Sequence, residues 1–209
     1  MRIDPAGFPF IGIALALAAL AGATMGWPLA AAFVAIAGFF LFFFRDPERG
    51  GRDVPEREVL APADGRVLVA GPAAAASAPP GAWQQISIFL SPLDVHVNRV
   101  PVSGTVTRVV FTRGRFLPAY RDDAATANER SEIWIDHAGQ TIVARQIVGI
   151  LARRVVCRLA VGEQVRAGQR FGIMKFGSRM DVFVPPDATI RVSVGEKVRG
   201  GETVLAVLH

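Results

Sequence analysis

The segment V-G-E-Q-V-R-A-G at residues 161–168 recurs as V-G-E-K-V-R-G-G at residues 194–201, an offset of 33 positions. Each copy has the pattern of a strand, a tight glycine turn and a second strand. Two such hairpins predict a mainly β domain, a β-sandwich with approximate internal symmetry. The repeated glutamates, Glu163 and Glu196, are expected to solvate the turns.

Short runs of Val, Ile, Leu and Phe fill the chain around the repeats, and Gly, Pro and Asp interrupt them. Their length and β-branched content favour strands. The predicted strands are 65–70, 85–90, 104–111, 132–136, 140–148 and 190–194. Between them we expect a linker at 50–58, a mobile Ala/Pro-rich loop at 70–82, and a short helix or ordered loop at 118–130.

No charged side chain occurs between residues 8 and 44. The apolar stretches 8–25 and 29–44 are separated by Gly-Trp-Pro, which predicts a helical hairpin. A membrane span takes about 20 apolar residues, so each arm is slightly short. A signal peptide would have one apolar core and a cleavage site, whereas here the apolar character resumes after the turn. We therefore expect a membrane-anchoring hairpin at 1–45 and a β domain at 46–209.

Arginines follow the second apolar stretch at once (Arg45, Arg49, Arg52 and Arg57), while the hairpin turn has no Lys or Arg. The positive-inside rule then places the β domain on the cytoplasmic side of the cell membrane. The net charge of +5 and pI of about 10.5 fit nucleic acid or an anionic membrane. Basic runs interleaved with aromatics are missing, so lipid is the expected partner and nucleic acid is not. The single cysteine, Cys157, is expected to be a small buried apolar residue.

The dipeptide Gly177-Ser178 stands between the two repeats, directly after a strand-like run. Glycine permits strained backbone and close approach to its carbonyl, and serine supplies a neighbouring hydroxyl. With a base and oxyanion donors, this pair can support an N-to-O acyl shift.

Five blocks carry a family resemblance: A-P-A-D-G-R-V at 61–67, F-L-S-P-L-D-V-H-V-N-R-V-P-V-S-G at 89–104, N-E-R at 128–130, G-I-L-A-R-R-V-V-C at 149–157 and F-G-S-R at 176–179. Together they resemble the short bacterial and archaeal form of phosphatidylserine decarboxylase, in order across about residues 45–209.

The resemblance implies that Ser178 attacks the Gly177 carbonyl, and that β-elimination and hydrolysis then leave a pyruvoyl group. The products would be a β chain, 1–177, and an α chain, 178–209. The pyruvoyl cofactor would form a Schiff base with membrane phosphatidylserine and release CO2, giving phosphatidylethanolamine without a metal. The oligomeric state stays open, a homo-oligomer included.

The resemblance also suggests site residues. Asp64 matches the aspartate of the self-cleavage triad in the longer enzymes. His96 stands at the first of two family histidine positions and is the expected acid or base. Arg99 stands at the second, the triad position, so either His96 or another group activates Ser178. Asp94 is expected either to orient His96 or to shape the S-P-L-D turn.

Three arginines are candidates for the substrate phosphate or carboxylate, with surface solvation as the alternative for each: Arg179, Arg153 and Arg154. His137 and His209 are expected to be a turn residue and a terminal residue without a role.

A rival interpretation starts from I-M-K-F at 173–176, which resembles the modification motif of biotinyl domains. The repeats would then be lipoyl- or biotinyl-like hairpins, and Lys175 would carry the cofactor. This carrier hypothesis gives the other blocks no role. A third class, a non-enzymatic membrane scaffold, requires the Gly177–Ser178 bond to stay intact.

Overall fold

A computed structural model of the chain describes residues 2–49, 54–150, 155–175 and 177–209. The chain divides into two compact units, Met1–Glu48 and Arg49–His209. The predicted linker falls partly outside the described residues, and so do Arg52, Arg153 and Arg154.

The first unit is a helical hairpin made of α1 (Phe8–Thr24) and α2 (Trp27–Phe43). A short pair of strands, β1 (Arg2–Ile3) and β2 (Arg45–Asp46), closes its base. Gly26, with φ of 95°, ends the first helix, and proline enters the first turn of the second. The helices predicted from the two apolar stretches are therefore present.

Small residues make up much of the buried side of the hairpin, together with Ile11, Phe43 and Phe44, while many other large apolar side chains are exposed. The buried residues include Ala14, Ala18, Ala21 and Ala37. Close packing through small residues and an apolar outer surface are typical of helices in lipid. By length and composition, the run Pro5–Thr24, with 20 residues and mean hydropathy 2.0, is long enough to cross a membrane, and Trp27–Phe43 is shorter.

The second unit is mainly β. Its strands are β3 (Glu58–Leu60), β4 (Gly65–Pro72), β5 (Gln84–Leu90), β6 (Val97–Arg99), β7 (Gly104–Thr112), β8 (Arg130–His137), β9 (Gln140–Ile147), β10 (Val155–Cys157), β11 (Gln164–Val165), β12 (Arg170–Met174), β13 (Ser178–Val184), β14 (Thr189–Ile190), β15 (Lys197–Val198) and β16 (Val204–Val207). One short helix, α3 (Ala124–Ala127), lies within the predicted helix or ordered loop.

Among the described residues, eight strands form a curled antiparallel sheet in the order β11-β7-β8-β9-β13-β5-β4-β15. Two three-stranded sheets, β10-β12-β6 and β14-β16-β3, complete the unit. Apolar residues alternate along the strands, so one face of the large sheet supplies much of the core. Ile86, Ile88, Met180 and Val182 are fully buried in it.

The two sequence repeats occupy matching positions at opposite edges of the large sheet. Val165 of the first repeat pairs with Gly104 at the start of β7, and Val198 of the second pairs with Gly65 at the start of β4. The side chain of Glu163 accepts a hydrogen bond from a backbone N–H of its own turn, three residues back, and Glu196 does the same. The glutamates therefore cap the turns as well as solvating them.

Five of the predicted strands are present as β4, β5, β7, β8 and β9. The prediction for 190–194 was largely wrong, because the strand there is only Thr189–Ile190. Ser193 donates its backbone N–H to the Glu196 carboxylate, which starts the turn early. Cys157 is only half-buried, and this burial raises the pKa of its thiol.

Candidate active site

Ser178 is the first residue of β13, a strand at the centre of the large sheet. It pairs with Leu90 of β5, and the next residue, Arg179, lies between Phe89 and Ile147. The side chain of Ser178 is fully buried, and its Oγ makes no hydrogen bond to any described residue. Buried hydroxyls normally have a partner, so the missing partner of this oxygen calls for an explanation.

The bond that precedes Ser178 is held in an unusual backbone conformation. Gly177 has φ of 71°, in the left-handed region that favours glycine. The carbonyl oxygen of Gly177 packs against Gly149, in the space that a Cβ at residue 149 would fill. Glycine at 149 therefore allows the Gly177 carbonyl to sit where it does.

His96 is buried in the loop between β5 and β6. Its Nδ1 lies 2.9 Å from the carbonyl oxygen of Asp94. A carbonyl can only accept, so Nδ1 carries the proton and Nε2 of the neutral ring has the lone pair. The carbonyl of His96 accepts from Met174 N at 3.3 Å, which ties the histidine to the strand leading into Gly177.

Asp94 shapes the turn and also holds the histidine ring. Its carboxylate accepts from Ser91 N at 2.8 Å, and its own N–H donates to Ser91 O at 2.9 Å. The contact with His96 is made by the backbone carbonyl, not by the carboxylate. Asp94 therefore shapes the S-P-L-D turn through its carboxylate and holds the His96 ring through its backbone carbonyl.

Asp64 forms a bidentate ion pair with Arg49, in which Arg49 NH2 lies 2.7 Å from Oδ2. Its Oδ1 also accepts from Gly200 N at 2.8 Å. These hydrogen bonds tie Asp64 to Arg49 and to the Gly200 backbone, and its part in a triad with Ser178 stays a prediction.

Arg99 is buried in β6, near the Asp64 segment. Its N–H donates to Pro62 O at 2.8 Å, and its guanidinium donates to Gly168 O at 3.0 Å. Guanidinium stays protonated in proteins and cannot take a proton from serine. Of these two residues at the family histidine positions, only His96 can act as a base.

Arg179 points to the face of the sheet opposite to Ser178, because side chains alternate along a strand. Its Nε donates to Asp181 Oδ1 at 2.6 Å, and NH2 donates to Ser87 Oγ at 3.0 Å. Both charged groups are buried. The arrangement gives Arg179 protein partners within the sheet, and its contact with a substrate headgroup stays a prediction.

The same face carries a second buried ion pair, in which Arg145 donates to Glu132 at 2.9 Å. Arg145 lies directly opposite Asp181 in the strand register. Burial lowers the pKa of Arg145, although Glu132 and Asp181 act in the other direction. The two ion pairs, Arg179–Asp181 and Arg145–Glu132, therefore lie along the strand that begins at Ser178 and along its neighbours.

An apolar cavity of about 340 Å³ opens beside Gly177. Its lining consists of Phe89, Pro92, Pro118, Ala119, Tyr120, Ile150 and Gly177. The rings of Phe89 and Tyr120 meet edge to face with centroids 6.0 Å apart. The cavity therefore presents an apolar wall next to the candidate reactive bond.

Asn128 joins two walls of this cavity, a role that the sequence did not reveal. Its side-chain amide donates to Leu117 O and to Val148 O, each at 2.8 Å, and its Oδ1 accepts from Leu117 N at 2.9 Å. Leu117 leads into the Pro118–Tyr120 wall, and Val148 precedes Gly149. The one sequence feature that pointed to Asn128 was its place in the N-E-R block, and the structure shows that its side chain is fully buried.

A second polar pair that the sequence did not predict lies on the same sheet face as Ser178. Gln146 is opposite Met180 in the register, and its amide donates to Asn98 Oδ1 at 2.8 Å. Both side chains are buried. They place amide groups diagonally across from Ser178, where neighbouring strands bring side chains within reach.

Comparison with known proteins gives the class to which this site belongs. The family model for phosphatidylserine decarboxylase matches residues 36–206. A protein of Pelodictyon phaeoclathratiforme is 46% identical over 172 residues, which cover 80% of this chain and 78% of that protein. One of Syntrophotalea carbinolica is 41% identical over 97% of this chain and 94% of that protein. Both relatives are named phosphatidylserine decarboxylase proenzyme.

The relatives are therefore proenzymes of a carboxy-lyase family. In this chain, the mainly β unit contains a buried serine that follows a glycine with a left-handed backbone conformation. The chain belongs to the phosphatidylserine decarboxylase family. Nothing in these comparisons favours a carrier domain modified at Lys175.

Proposed function

We propose that this chain is a pyruvoyl-dependent phosphatidylserine decarboxylase that cleaves itself between Gly177 and Ser178. The observation that carries the proposal is the buried Ser178 Oγ, which lacks a described hydrogen-bond partner and follows the left-handed Gly177. The names of the relatives as proenzymes support it.

Self-cleavage begins when Ser178 Oγ attacks the Gly177 carbonyl carbon and gives up its proton. The C–N bond then breaks, the nitrogen becomes the amine of Ser178, and an ester joins the two residues. Removal of the Ser178 α-proton expels the Gly177 carboxylate, so the β chain ends at 177. The remaining dehydroalanine takes up water and loses ammonia, which leaves the pyruvoyl group at the start of the α chain.

His96 is the proposed base for the first proton transfer. The Asp94 carbonyl fixes the tautomer in which Nε2 can accept a proton. The same ring is suited to deliver a proton to the substrate after CO2 has left. Asp64, which is ion-paired with Arg49, is proposed to assist self-cleavage as the family resemblance implies, and Asp94 is proposed to position the histidine.

The pyruvoyl group supplies a ketone that condenses with the substrate amine and accepts electrons as CO2 departs. The chain fits this group, because residue 178 begins a strand and the residue before it, Gly177, lines the apolar cavity. After cleavage, β13 of the α chain remains between β5 and β9 of the β chain, and its hydrogen bonds hold the two chains together. Arg179, anchored on Asp181, positions the new chain end.

The hairpin 1–45 is proposed to anchor the enzyme in the cell membrane, with the catalytic unit 46–209 on the cytoplasmic side. The apolar outer surface of the helices and the arginines that follow them support this orientation. The two repeats are proposed to be lipoyl-like hairpins of a sandwich with internal symmetry, which their matched pairing with β7 and β4 supports.

The Ser178→Ala variant tests this function, with Ser193→Ala as the matched serine control. We expect the Ser178 variant to stay a single chain and to release no CO2 from phosphatidylserine, whereas the control is processed normally. Processing of the Ser178→Ala chain at the normal rate would overturn the proposal.

A further inference from the structure

The cavity beside Gly177 is surrounded by large apolar side chains that face solvent. Tyr120 and Ile150 line the cavity and are 62% and 57% exposed. Leu93, next in sequence to the lining residue Pro92, is 67% exposed, and Phe116, two residues before the lining residue Pro118, is 39% exposed. We define these four residues as the apolar rim. Exposed apolar residues scattered singly are ordinary, but a cluster around a cavity marks an interaction surface.

The loop that carries part of the rim is basic. The expectation that the chain has no basic run interleaved with aromatics is wrong at residues 111–121, F-T-R-G-R-F-L-P-A-Y-R, which contain three arginines and no acidic residue, although Asp122 and Asp123 follow. Arg113 and Arg115 are exposed, while Arg121 is paired with Asp123. Arginine beside exposed Phe and Tyr is the composition that binds the headgroup layer of anionic membranes.

The loop is held in place rather than loosely attached. Arg115 N donates to Ala127 O at 2.7 Å, and Glu129 N donates to Arg115 O at 3.0 Å. The Asn128 side chain bonds both backbone groups of Leu117. The backbone of the loop is therefore fixed at Arg115 and Leu117, on either side of Phe116.

We propose that the apolar rim and Arg113 and Arg115 form a second membrane contact, which inserts into the headgroup layer of an anionic bilayer. This inference rests on the proposed function, since a phospholipid must present its amine at residue 178 while its acyl chains remain in an apolar environment. The cavity opens at Gly177, so a bilayer against the rim lets a headgroup enter with little exposure of its chains to water.

Site-specific fluorescence in the full-length chain tests the contact. The native cysteine is removed by Cys157→Ala, and an environment-sensitive dye is attached through Leu93→Cys or Phe116→Cys. Val161→Cys is the control, because Val161 is also exposed (64%). Its hairpin pairs with the beginning of β7, whereas the rim loop follows the end of that strand. The chain is reconstituted in phosphatidylcholine membranes with and without phosphatidylglycerol, which is anionic but is not the substrate.

We expect lipids with a quencher near the headgroup to quench the dye at 93 and 116 at least about twofold more than at 161. Arg113→Ser with Arg115→Ser should reduce the difference in anionic membranes only. Equal quenching at all three positions would overturn the proposal. Protection of the dye at 93 in detergent as well as in membranes would also overturn it, in favour of a second protein copy. The quenching measurement does not depend on turnover. The same test in Ser178→Ala therefore reports on the membrane contact alone, even if the proposed self-cleavage or decarboxylation is wrong.

Discussion

The carbonyl oxygen of Gly177 packs against the backbone of Gly149, in the space where any side chain at 149 would begin. The two residues are 28 positions apart in the sequence, and each stands in a different block of the family resemblance. Their contact fixes the carbonyl that Ser178 is proposed to attack. Its orientation therefore depends on a residue that takes no part in the chemistry.

Gly149→Ala should slow self-cleavage by about 100-fold, because displacing a reacting atom by about 1 Å commonly costs that much. The folded sheet should persist, which far-UV circular dichroism will show. Gly12→Ala, at a helical glycine with open space around it, is the control and should be processed normally. Unchanged processing in Gly149→Ala would refute this role for the Gly177 contact.

His96→Ala should slow self-cleavage by about 10²- to 10⁴-fold, the range typical of a lost general base. Gel electrophoresis of newly synthesised chain over time measures the rate. His137→Ala is the matched control, since its ring bonds Ser103 O in a turn. If His96→Ala cleaves as fast as the control, the base must be another group.

Asn128→Ala should destabilise the protein by about 1–3 kcal/mol, because buried backbone groups of Leu117 and Val148 lose their partner. It should also reduce CO2 release, since both cavity walls loosen. Thermal unfolding and a decarboxylation assay on purified protein provide the two readouts. Gln140→Ala, which removes an exposed bond to His209 O, should change neither. A stability equal to that of the control would contradict the proposed clamp.

Arg179→Met should cost about 3–5 kcal/mol, because it leaves Asp181 buried without its ion-pair partner. The double variant Arg179→Met/Asp181→Leu should regain much of that loss. Arg121→Ala breaks an exposed pair with Asp123 and should have little effect. If Arg179 instead contacts the headgroup, the single variant will raise KM without a loss of stability.

Much of the architecture was predictable from local patterns. The apolar stretches specified the two helices, and β-branched runs located β4, β5, β7, β8 and β9, because these signals depend on neighbouring residues. The 190–194 run has a similar composition, but its strand ends at Ile190 because the Glu196 side chain accepts a hydrogen bond from Ser193 N and forms a turn there.

The candidate site was predictable only in part, because its geometry depends on residues that are distant in the chain. Gly177 and Ser178 were found from their sequence context. Asn128 has partners 11 and 20 residues away, and the Arg179 guanidinium reaches Ser87 across 92 residues. No periodic pattern encodes such pairings, so the clamp and the buried ion pair became visible only with the fold.

The intact mass of the purified chain tests the central claim most directly. We predict two chains in equal amounts, one ending at Gly177 and one starting at residue 178 with a pyruvoyl group that blocks Edman sequencing. A single chain with an adduct on Lys175 would support the carrier alternative. A single unmodified chain in demonstrably folded protein, or cleavage at another bond, would contradict the proposed self-cleavage.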